Sequence, residues 1–247
     1  MKFIPSNEVY PVEEFDYQLL DTGNFKKLEQ FGPYTFVRPA PQVIWPPHLP
    51  ETVWGNANGE FRHHKRKSTG GGEWTFRNPV PKNGWPLRFR DLTFTAHATS
   101  FGHLGLFPEQ AQNWDWIANQ VKELNGNKPN VLNMFGYTGA STLVAASKGA
   151  NVTHLDASKT SVTWARKNLE SSGLADCPVR WMVDDAEKFL KREHRRSRKY
   201  DALIMDPPSF GRGPKGEVWN IETQMAELLT LCKNILSDSP KFVLLTT

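Results

Sequence analysis

The sequence lacks the features that mark several classes of protein. Its two cysteines, Cys177 and Cys232, are too few for a disulfide framework and too far apart for a CxxC metal cluster. Its longest apolar runs, Ala202–Met205 and Phe242–Leu245, are far too short to span a membrane. The first residues have neither the apolar stretch nor the cleavage site of a signal peptide. We therefore expect a cytoplasmic protein without a metal site.

The net charge and the overall composition exclude fewer classes of protein than these missing features do. The 247 residues include 30 basic and 26 acidic side chains, a net charge of +4, and 38% of them are apolar. These values fit one large or two unequal folded domains. The slight basic excess permits a nucleic-acid partner without requiring one. Nine tryptophans are many for this length. Their rings can pack in a core, which is the more common role, or stack on bases.

Residues 1–96 predict a small β domain. Most of the 18 prolines lie in this part, and proline disrupts long helices because it lacks the backbone N–H. Short runs with β propensity lie at 34–37, 43–45 and 87–94. Residues 61–76 predict two strands around a polar, glycine-rich tip at 63–72, which we expect to be a mobile loop. This Pro- and Trp-rich β domain is a candidate for substrate binding.

From Pro108 onward, predicted helices alternate with predicted strands. A first helix opens at this proline and carries apolar residues at helical spacing up to Leu124. The predicted strands lie at 131–135, 152–155, 179–183, 200–205 and 241–246. The predicted helices between them lie at 139–148, 158–171, 186–195 and 221–236. This order predicts an α/β fold, a doubly wound and mostly parallel Rossmann-like sheet, within residues 97–247.

Ligands of such sheets bind at the carboxyl ends of the strands, so the residues after each strand are candidates for a site. Gly136 and Gly139 follow the first strand, where they permit a sharp turn and a close approach of a ligand to the next helix. An ordinary βα turn is the alternative. The spacing matches neither the dinucleotide motif GxGxxG nor a phosphate-binding loop, which disfavours a nicotinamide oxidoreductase.

Carboxylates follow the second and third strands. Asp156 can accept hydrogen bonds from both hydroxyls of a ribose, or cap the helix that begins near Ser158. Of Asp184 and Asp185, one can bond an adenine amino group while the other caps the helix that begins at Ala186.

A rigid loop follows the fourth strand and consists of Asp206, Pro207, Pro208, Ser209 and Phe210. Its two prolines fix the backbone, so that a carboxylate stands at the edge of the sheet and an aromatic ring at the mouth of the site. Residues 211–216 are glycine-rich and basic, which suits a segment that orders on a polyanion.

Together these segments resemble the class I S-adenosylmethionine-dependent methyltransferases, and more narrowly the bacterial large-subunit rRNA methyltransferases of the RlmI and RlmK type. The resemblance covers roughly residues 92–247 and includes segment 105–110, which in that family lies over the cofactor. It implies S-adenosylmethionine as the cofactor and a base of rRNA as the substrate. Residues 136–139 would hold the methionine part, Asp156 the ribose and Asp185 the adenine side.

The resemblance also assigns roles residue by residue. The cofactor-binding residues would be Phe107, Glu109, Gln110, Asn133, Phe135, Gly136, Tyr137, Thr138, Gly139, Asp156, Ala157, Ser158, Asp184, Asp185 and Asp206. The residues at the target base would be Asp206, Pro207, Pro208 and Phe210. A methyltransferase of proteins or small molecules, and an RNA-binding module with an inactive transferase fold, are the alternatives. The basic runs 63–67 and 188–199 are RNA contacts or, more commonly, solvated surface.

Two departures from the family pattern bear on the chemistry. Ala111 stands where the family has an arginine that contacts the cofactor. Thr246 and Thr247 stand where enzymes that methylate carbon 5 of cytosine carry a nucleophilic cysteine. The positions of Cys177 and Cys232 fit structural roles better. We therefore expect methylation of a base nitrogen.

The last predicted strand, 241–247, is almost entirely apolar or β-branched, which indicates burial on both faces between neighbouring strands. Methyltransferases of this class add two further strands beside it. We expect the transferase domain to lack these strands here, so that the native product is longer or another chain covers this edge.

Overall fold

The computed structural model describes residues 14–64, 71–124 and 128–246, and the chain divides into two compact units after Ala111. The strands of the first unit are β1 (Tyr17–Gly23), β2 (Lys26–Phe31), β3 (Tyr34–Pro39), β4 (Gly59–His63), β5 (Gly72–Phe76), β6 (Trp85–Phe89) and β7 (Leu92–Ala96). Its described helical segments are the five-residue α1 (Glu51–Gly55) and a 3-10 turn at Pro108–Gln110.

Strands β1 to β5 form one sheet in chain order, in which β3 and β4 run parallel and the other neighbours antiparallel. Strands β6 and β7 form a separate hairpin. The predicted β-rich N-terminal part is therefore confirmed. The predicted hairpin at 61–76 is β4 and β5, while residues 65–70 of its expected mobile tip lie outside the described residues. The run 87–94 contains a turn at Arg90 between two strands.

The predicted strand at 43–45 is wrong. The carbonyl of Val43 accepts a hydrogen bond from the Phe25 amide at 2.6 Å, and the carbonyl of Trp45 accepts one from Asn24 at 2.8 Å. These two bonds hold the segment along the β1–β2 turn without forming a ladder. The neighbouring prolines cannot donate to a ladder because they have no backbone N–H.

Aromatic rings fill the interior of the first unit. The ring of Phe36 stacks on Trp85 with centroids 5.5 Å apart, and Trp74 meets Phe36 edge-on at 5.5 Å. Of the nine tryptophans, Trp45 and Trp116 are exposed, and the others are buried or half-buried. Most tryptophans therefore have the packing role that is the more common one.

The first helix of the second unit is α2 (Ala111–Glu123), whose first residue is the last of the first unit. Its further elements are β8 (Asn130–Met134), α3 (Ala140–Ser147), β9 (Asn151–Asp156), α4 (Lys159–Ser171), β10 (Val179–Val183), α5 (Ala186–Arg195), β11 (Ala202–Met205), β12 (Phe210–Arg212), β13 (Val218–Asn220), α6 (Ile221–Ile235) and β14 (Phe242–Leu245). The small β12–β13 hairpin lies between a strand and a helix and was not predicted.

Five strands of the second unit form a fully parallel sheet in the order β10-β9-β8-β11-β14. Their side chains are almost all apolar, and Leu132, Met134 and Leu203 have no exposed surface, as expected for strands covered by helices. The chain leaves β8 toward β9 on one side and later returns as β11 on the other. The predicted doubly wound sheet is thus confirmed, with its switch point between β8 and β11.

Strand β14 pairs with β11 along its whole length. Phe242 is buried, whereas Val243 is 48% and Leu245 is 38% exposed, so the expected burial of both faces is not seen in the described chain. Within the described ranges, no helix is both long and apolar enough to cross a membrane.

Candidate functional site

The five parallel strands end at one edge of the sheet. Met134 of β8 lies opposite Leu155 of β9 and Met205 of β11. Val183 of β10 lies opposite Asp156, and Leu245 of β14 opposite Met205. The residues that follow these positions therefore emerge side by side. In spatial order along the edge they are Asp184, Asp156, the loop 135–139, the loop 206–210 and Thr246.

The loop 135–139, between β8 and α3, has an unusual backbone. Phe135 and Tyr137 have positive φ angles of 57° and 48°, and Gly139 has a φ of 91°. A left-handed conformation costs a non-glycine residue about 1–2 kcal/mol. Such strain persists where the surrounding structure enforces it, which is typical of ligand-binding loops.

Asp156 enforces this conformation. Its Oδ2 accepts a hydrogen bond from the Tyr137 amide at 2.9 Å, and its Oδ1 accepts one from the Ser158 amide at 2.8 Å. Burial raises the pKa of the Asp156 carboxyl, and these two bonds partly offset that rise. The helix cap proposed as an alternative for Asp156 is instead Ser158, whose hydroxyl accepts from the Ser161 amide at 3.2 Å. Each carboxylate oxygen of Asp156 keeps acceptor capacity for a ligand hydroxyl.

A buried polar layer supports the loop from below. The side-chain Nδ2 of Asn133 donates a hydrogen bond to Thr142 Oγ1 at 2.8 Å, and Thr142 Oγ1 is also hydrogen-bonded to His154 Nδ1 at 2.9 Å. A Cβ at Gly136 would lie 2.5 Å from His154 Cε1, so only glycine fits above this ring. Asn133 is thus buried under the loop. Thr142 and His154 were not predicted, although polar residues inside apolar segments are a signal for such a layer.

One buried histidine, His154, and one half-buried histidine, His103, predict a loss of stability in mild acid. Burial and the nearby Arg166 lower the pKa of His154 to about 3, and burial and Arg38 lower the pKa of His103 to about 4. Both side chains are therefore neutral in the folded chain, whereas in the unfolded chain they bind protons near pH 6.5. Because only the unfolded state takes up these protons, the free energy of unfolding should decrease as the pH falls below about 6.5. Each histidine contributes up to about 1.4 kcal/mol per pH unit.

Urea unfolding followed by tryptophan fluorescence between pH 7 and pH 5 tests this expectation. His154→Asn removes one titrating group, so the decrease per pH unit should become smaller in this variant even if its stability at pH 7 is lower. Equal slopes in the two proteins would show that His154 does not titrate as its burial implies.

Asp184 and Asp185 have separate roles. Asp185 caps α5, because its Oδ1 accepts a hydrogen bond from the Lys188 amide at 2.9 Å. Asp184 accepts one from the Asp185 amide and pairs with Arg192. The structure therefore identifies Asp185 as the capping residue of the two. The assignment of Asp185 to the adenine side stays a prediction, as do those of Ala157 and Thr138.

Hydrogen bonds hold the loop 206–210 at its first residue and at its middle residue. Thr246 Oγ1 donates to Asp206 Oδ1 at 2.7 Å, and desolvation raises the pKa of the Asp206 carboxyl against the effect of this bond. The carbonyl of Pro208 accepts a hydrogen bond from Trp219 Nε1 at 2.6 Å. Phe210 then begins β12 with 56% of its surface exposed.

Trp219 joins the two loops on either side of the switch point. Its indole is buried, and its ring centroid lies 5.3 Å from that of Phe135. One side chain therefore contacts both the loop after β8 and the loop after β11. It lies on β13, in the hairpin that was not predicted, and no feature of its sequence context indicated this role.

The remaining predictions concern residues of the first unit and two basic runs. Phe107, Glu109 and Gln110 belong to the first unit, in and before the 3-10 turn, and their cofactor contacts stay predictions. In the basic run 188–199, most cations pair with nearby carboxylates. Lys188 pairs with Glu217, Lys191 with Glu187 and Glu227, Arg192 with Asp184, and Arg196 and Arg198 with Glu193. These internal pairs favour a solvated surface over an RNA contact for this run. Of the run 63–67, residues 65–67 lie outside the described residues.

The chain is similar to known proteins over most of its length. Residues 110–228 match the family described as conserved hypothetical protein 95. The ribosomal RNA large subunit methyltransferase K of Neisseria meningitidis serogroup B is 32% identical over 232 residues, which are 92% of this chain and 64% of that protein. The K/L protein of Shewanella frigidimarina is 28% identical over 61% of this chain and 20% of its own length. The chain thus spans about a fifth of that K/L relative and under two thirds of the K relative.

Solved structures show the same similarity. A structure from Streptococcus mutans has a TM-score of 0.69 at 18% identity, over 90% of this chain and 58% of that one, which shows the fold alone. The SAM-dependent methyltransferase from Agrobacterium tumefaciens has a TM-score of 0.87 at 43% identity, over 93% of this chain and 72% of that one. With this identity over more than two thirds of the relative, the chain belongs to the class I S-adenosylmethionine-dependent methyltransferases.

Proposed function

We propose that this protein transfers a methyl group from S-adenosylmethionine to a nitrogen of a base in ribosomal RNA. The observation that carries the proposal is the fixed pair of loops at the switch point, one strained and one bearing Asp206 and the exposed ring of Phe210. The names of the K and K/L relatives support rRNA as the substrate. Such a substrate also supports the cytoplasmic location expected from the sequence.

The residues present fit the cofactor of this family. Gly136 leaves no room for a side chain between the loop and His154, and Gly139 leaves none against Ala165, where a Cβ would lie 2.8 Å from the alanine Cβ. A loop without side chains at these two positions suits a backbone that would contact the methionine part. Asp156 would accept hydrogen bonds from the ribose, and Asp185 would lie on the adenine side. S-adenosylmethionine supplies a methyl group on a sulfonium that a nucleophile can displace.

The loop 206–210 would hold the target base. Methyl transfer is an in-line displacement, so the task of the protein is to position the acceptor and exclude water. The Asp206 carboxylate and the carbonyls of Pro207 and Pro208 would offer acceptors to an amine, and the Pro208 carbonyl is already oriented by its bond from Trp219. The exposed ring of Phe210 would stack on the base. The raised pKa of Asp206 suits a group that takes the proton released by the amine.

Nitrogen is favoured over carbon because neither cysteine suits a nucleophile. Cys232 is buried in α6, its Sγ lies 3.7 Å from Met205 Sδ, and burial raises the pKa of its thiol to about 12. Cys177 precedes β10, at the edge of the sheet opposite the candidate site. The position after the fifth strand carries Thr246, which orients Asp206 instead. A ring carbon of cytosine needs a thiolate adduct, whereas an amine has its own lone pair.

Replacing both cysteines by alanine is therefore expected to leave methyl transfer nearly unchanged. The substrate is rRNA from a strain that lacks the gene, incubated with S-adenosylmethionine that carries a labelled methyl group. Mass spectrometry of the nucleosides then identifies the methylated atom. Label in rRNA from both the wild type and the Cys177→Ala/Cys232→Ala variant is the expected result. Label in protein but not in rRNA would contradict the RNA substrate. Loss of activity in a folded double variant, or a covalent adduct with 5-fluorocytosine RNA, would contradict the nitrogen chemistry.

We further propose that the first unit contributes to substrate binding, as the exposed aromatic residues and basic side chains of this unit suggest.

A further inference from the structure

The first unit contains a cavity of about 530 Å³ that no part of the proposed transfer reaction uses. Strands β2, β3 and β4, the β1–β2 turn and α1 contribute to its wall. The lining residues are Gly23, Asn24, Lys26, Val37, Pro47, Glu51, Trp54, Gly55, Glu60, Arg62 and Arg77. Its volume lies within the range of small-molecule sites and is large enough for one nucleotide.

Positive charge exceeds negative charge in this cavity. Glu60 is shared by two cations, Lys26 at 2.8 Å and Arg62 at 2.9 Å, so this cluster of three side chains keeps one net positive charge. Arg77 forms no ion pair with any residue of the described ranges, and Glu51 is the remaining carboxylate of the wall. A phosphate group bound in the cavity would supply the missing negative charge.

A tryptophan with a fixed orientation forms part of the wall. The Trp54 indole donates to Asp21 Oδ2 at 3.0 Å, and the same buried carboxylate accepts bonds from the amides of Leu49 and His48. Trp54 also packs against the small core of this unit, next to Val37. Because the ring is already immobilised, stacking a flat group on it would cost little conformational entropy.

Two exposed aromatic residues lie next to Asn24, a residue of the cavity wall. Phe25 is 57% and Trp45 is 45% exposed, and both lie next to Asn24 of the cavity wall, whose amide donates to the Trp45 carbonyl. The Trp45 indole donates to Thr22 Oγ1 at 3.0 Å, which holds the ring at the surface. Sites that bind single-stranded nucleic acids combine a positively charged groove with exposed aromatic rings.

We propose that this cavity and its aromatic rim bind a stretch of single-stranded RNA. The backbone phosphate would lie near Arg77, with a nucleotide in the cavity and a neighbouring base stacked on Trp45. This inference rests on the proposed function, because it identifies where the rRNA substrate is held outside the reaction centre. An acidic peptide would satisfy the cations but leave the exposed rings unexplained.

The test measures binding of a fluorescein-labelled, mixed-sequence, single-stranded RNA to the full chain by fluorescence anisotropy, without S-adenosylmethionine. Trp45→Ala should weaken binding roughly tenfold, since stacking contributes about that factor or more per base. Arg77→Gln should also weaken binding and lower the slope of log affinity against log salt by about 0.7, the loss of one phosphate contact. Lys82→Gln, which removes an exposed charge of the same unit outside the cavity, should change neither quantity.

Each outcome decides the proposal. Weaker binding in both cavity variants with an unchanged Lys82→Gln control supports it. If both variants bind RNA like the wild type, or if polyglutamate of equal charge displaces the RNA as well as unlabelled RNA does, the proposal is overturned. Arg77 has no ion pair with another described residue to lose, so its variant remains informative if Trp45→Ala fails to fold.

The assay separates this inference from the proposed function. RNA binding that depends on Trp45 and Arg77 in a protein that methylates no rRNA would reject the proposed function alone. Methylation of rRNA with unaltered kinetics in both variants would reject the RNA cavity alone.

Discussion

Gly136→Ala is expected to weaken S-adenosylmethionine binding tenfold to a hundredfold while the chain still folds. The added Cβ would lie 2.5 Å and 2.6 Å from His154 Cε1 and Nδ1. The ring cannot yield, because it has no exposed surface, is bonded to Thr142 and packs 4.9 Å from the Trp181 ring. The loop 135–139 must therefore shift outward. Overpacking of this kind costs about 1–3 kcal/mol. If the loop must return to its original position to bind S-adenosylmethionine, this cost is subtracted from the binding free energy, which gives the stated loss of affinity.

The matched control is Gly149→Ala, in the turn after α3 of the same unit. Gly149 also has a positive φ, of 97°, but a Cβ there would meet nothing within 4 Å. This variant should lose about 1 kcal/mol of stability through its backbone alone and keep the wild-type affinity. Isothermal titration calorimetry gives the dissociation constants, and thermal unfolding gives the stabilities. Equal affinities of a folded Gly136→Ala variant and the wild type would remove the loop from the cofactor site.

The Rossmann-like half of the chain could be predicted closely because local and global signals agree there. The first helix was predicted from Pro108 but begins at Ala111 after a 3-10 turn, and the β12–β13 hairpin was not predicted. The ends of the other helices and strands lie within two residues of the predicted ones, for example at 186–195 and 179–183. Each strand is a short apolar run, and side chains such as Ser158 and Asp185 cap the following helices. The position of the candidate site at the carboxyl ends of the strands could also be predicted, because the strands are parallel. That prediction needs no knowledge of side-chain contacts.

Contacts between distant residues could not be predicted. Arg38 and Glu29 form a buried bidentate pair in the first unit, with distances of 2.7 Å and 2.8 Å, yet each lies in an ordinary polar strand position. His154 and Thr142 meet across β9 and α3, and nothing in their local sequence pairs them. The hairpin that brings Trp219 to Pro208 contains residues 211–216, whose composition predicted only a glycine-rich, basic segment that orders on a polyanion.

The N-terminal unit shows a different limit. Short β runs separated by prolines predict strands but not which strands pair. The sequence therefore does not distinguish β3, which pairs with β4 in parallel, from the segment 43–45, which joins no sheet. The residues that line the cavity come from six separate segments of the chain. Only the folded structure places Arg77 near Gly55, where its guanidinium would lie 3.5 Å from a Cβ built on the glycine. A binding site of this kind is a property of the tertiary structure.

Phe210→Ala is expected to lower kcat/KM for rRNA tenfold or more, with S-adenosylmethionine affinity unchanged. The ring is 56% exposed and follows a loop fixed by the Thr246–Asp206 and Trp219–Pro208 bonds, so it is presented at the candidate target site without burying core surface. Stacking on an RNA base contributes about 1–3 kcal/mol, and the loss should be largest when RNA is far below saturation. Because Phe210 makes little contact with the core, its removal should leave the melting temperature nearly unchanged.

Val218→Ala is the control for the hairpin itself. Val218 lies opposite Arg212 on β13 and is 50% exposed, so its truncation perturbs the same small sheet without removing an aromatic ring. Near-wild-type turnover in Val218→Ala, together with a loss in Phe210→Ala that Phe210→Tyr largely restores, would place the target base on the ring at position 210. A tenfold loss in both variants would instead attribute the effect to the hairpin. Wild-type kcat/KM in Phe210→Ala at low RNA concentration would show that the target base does not stack on Phe210. A base that is bonded to Asp206 would then have to stack on another side chain.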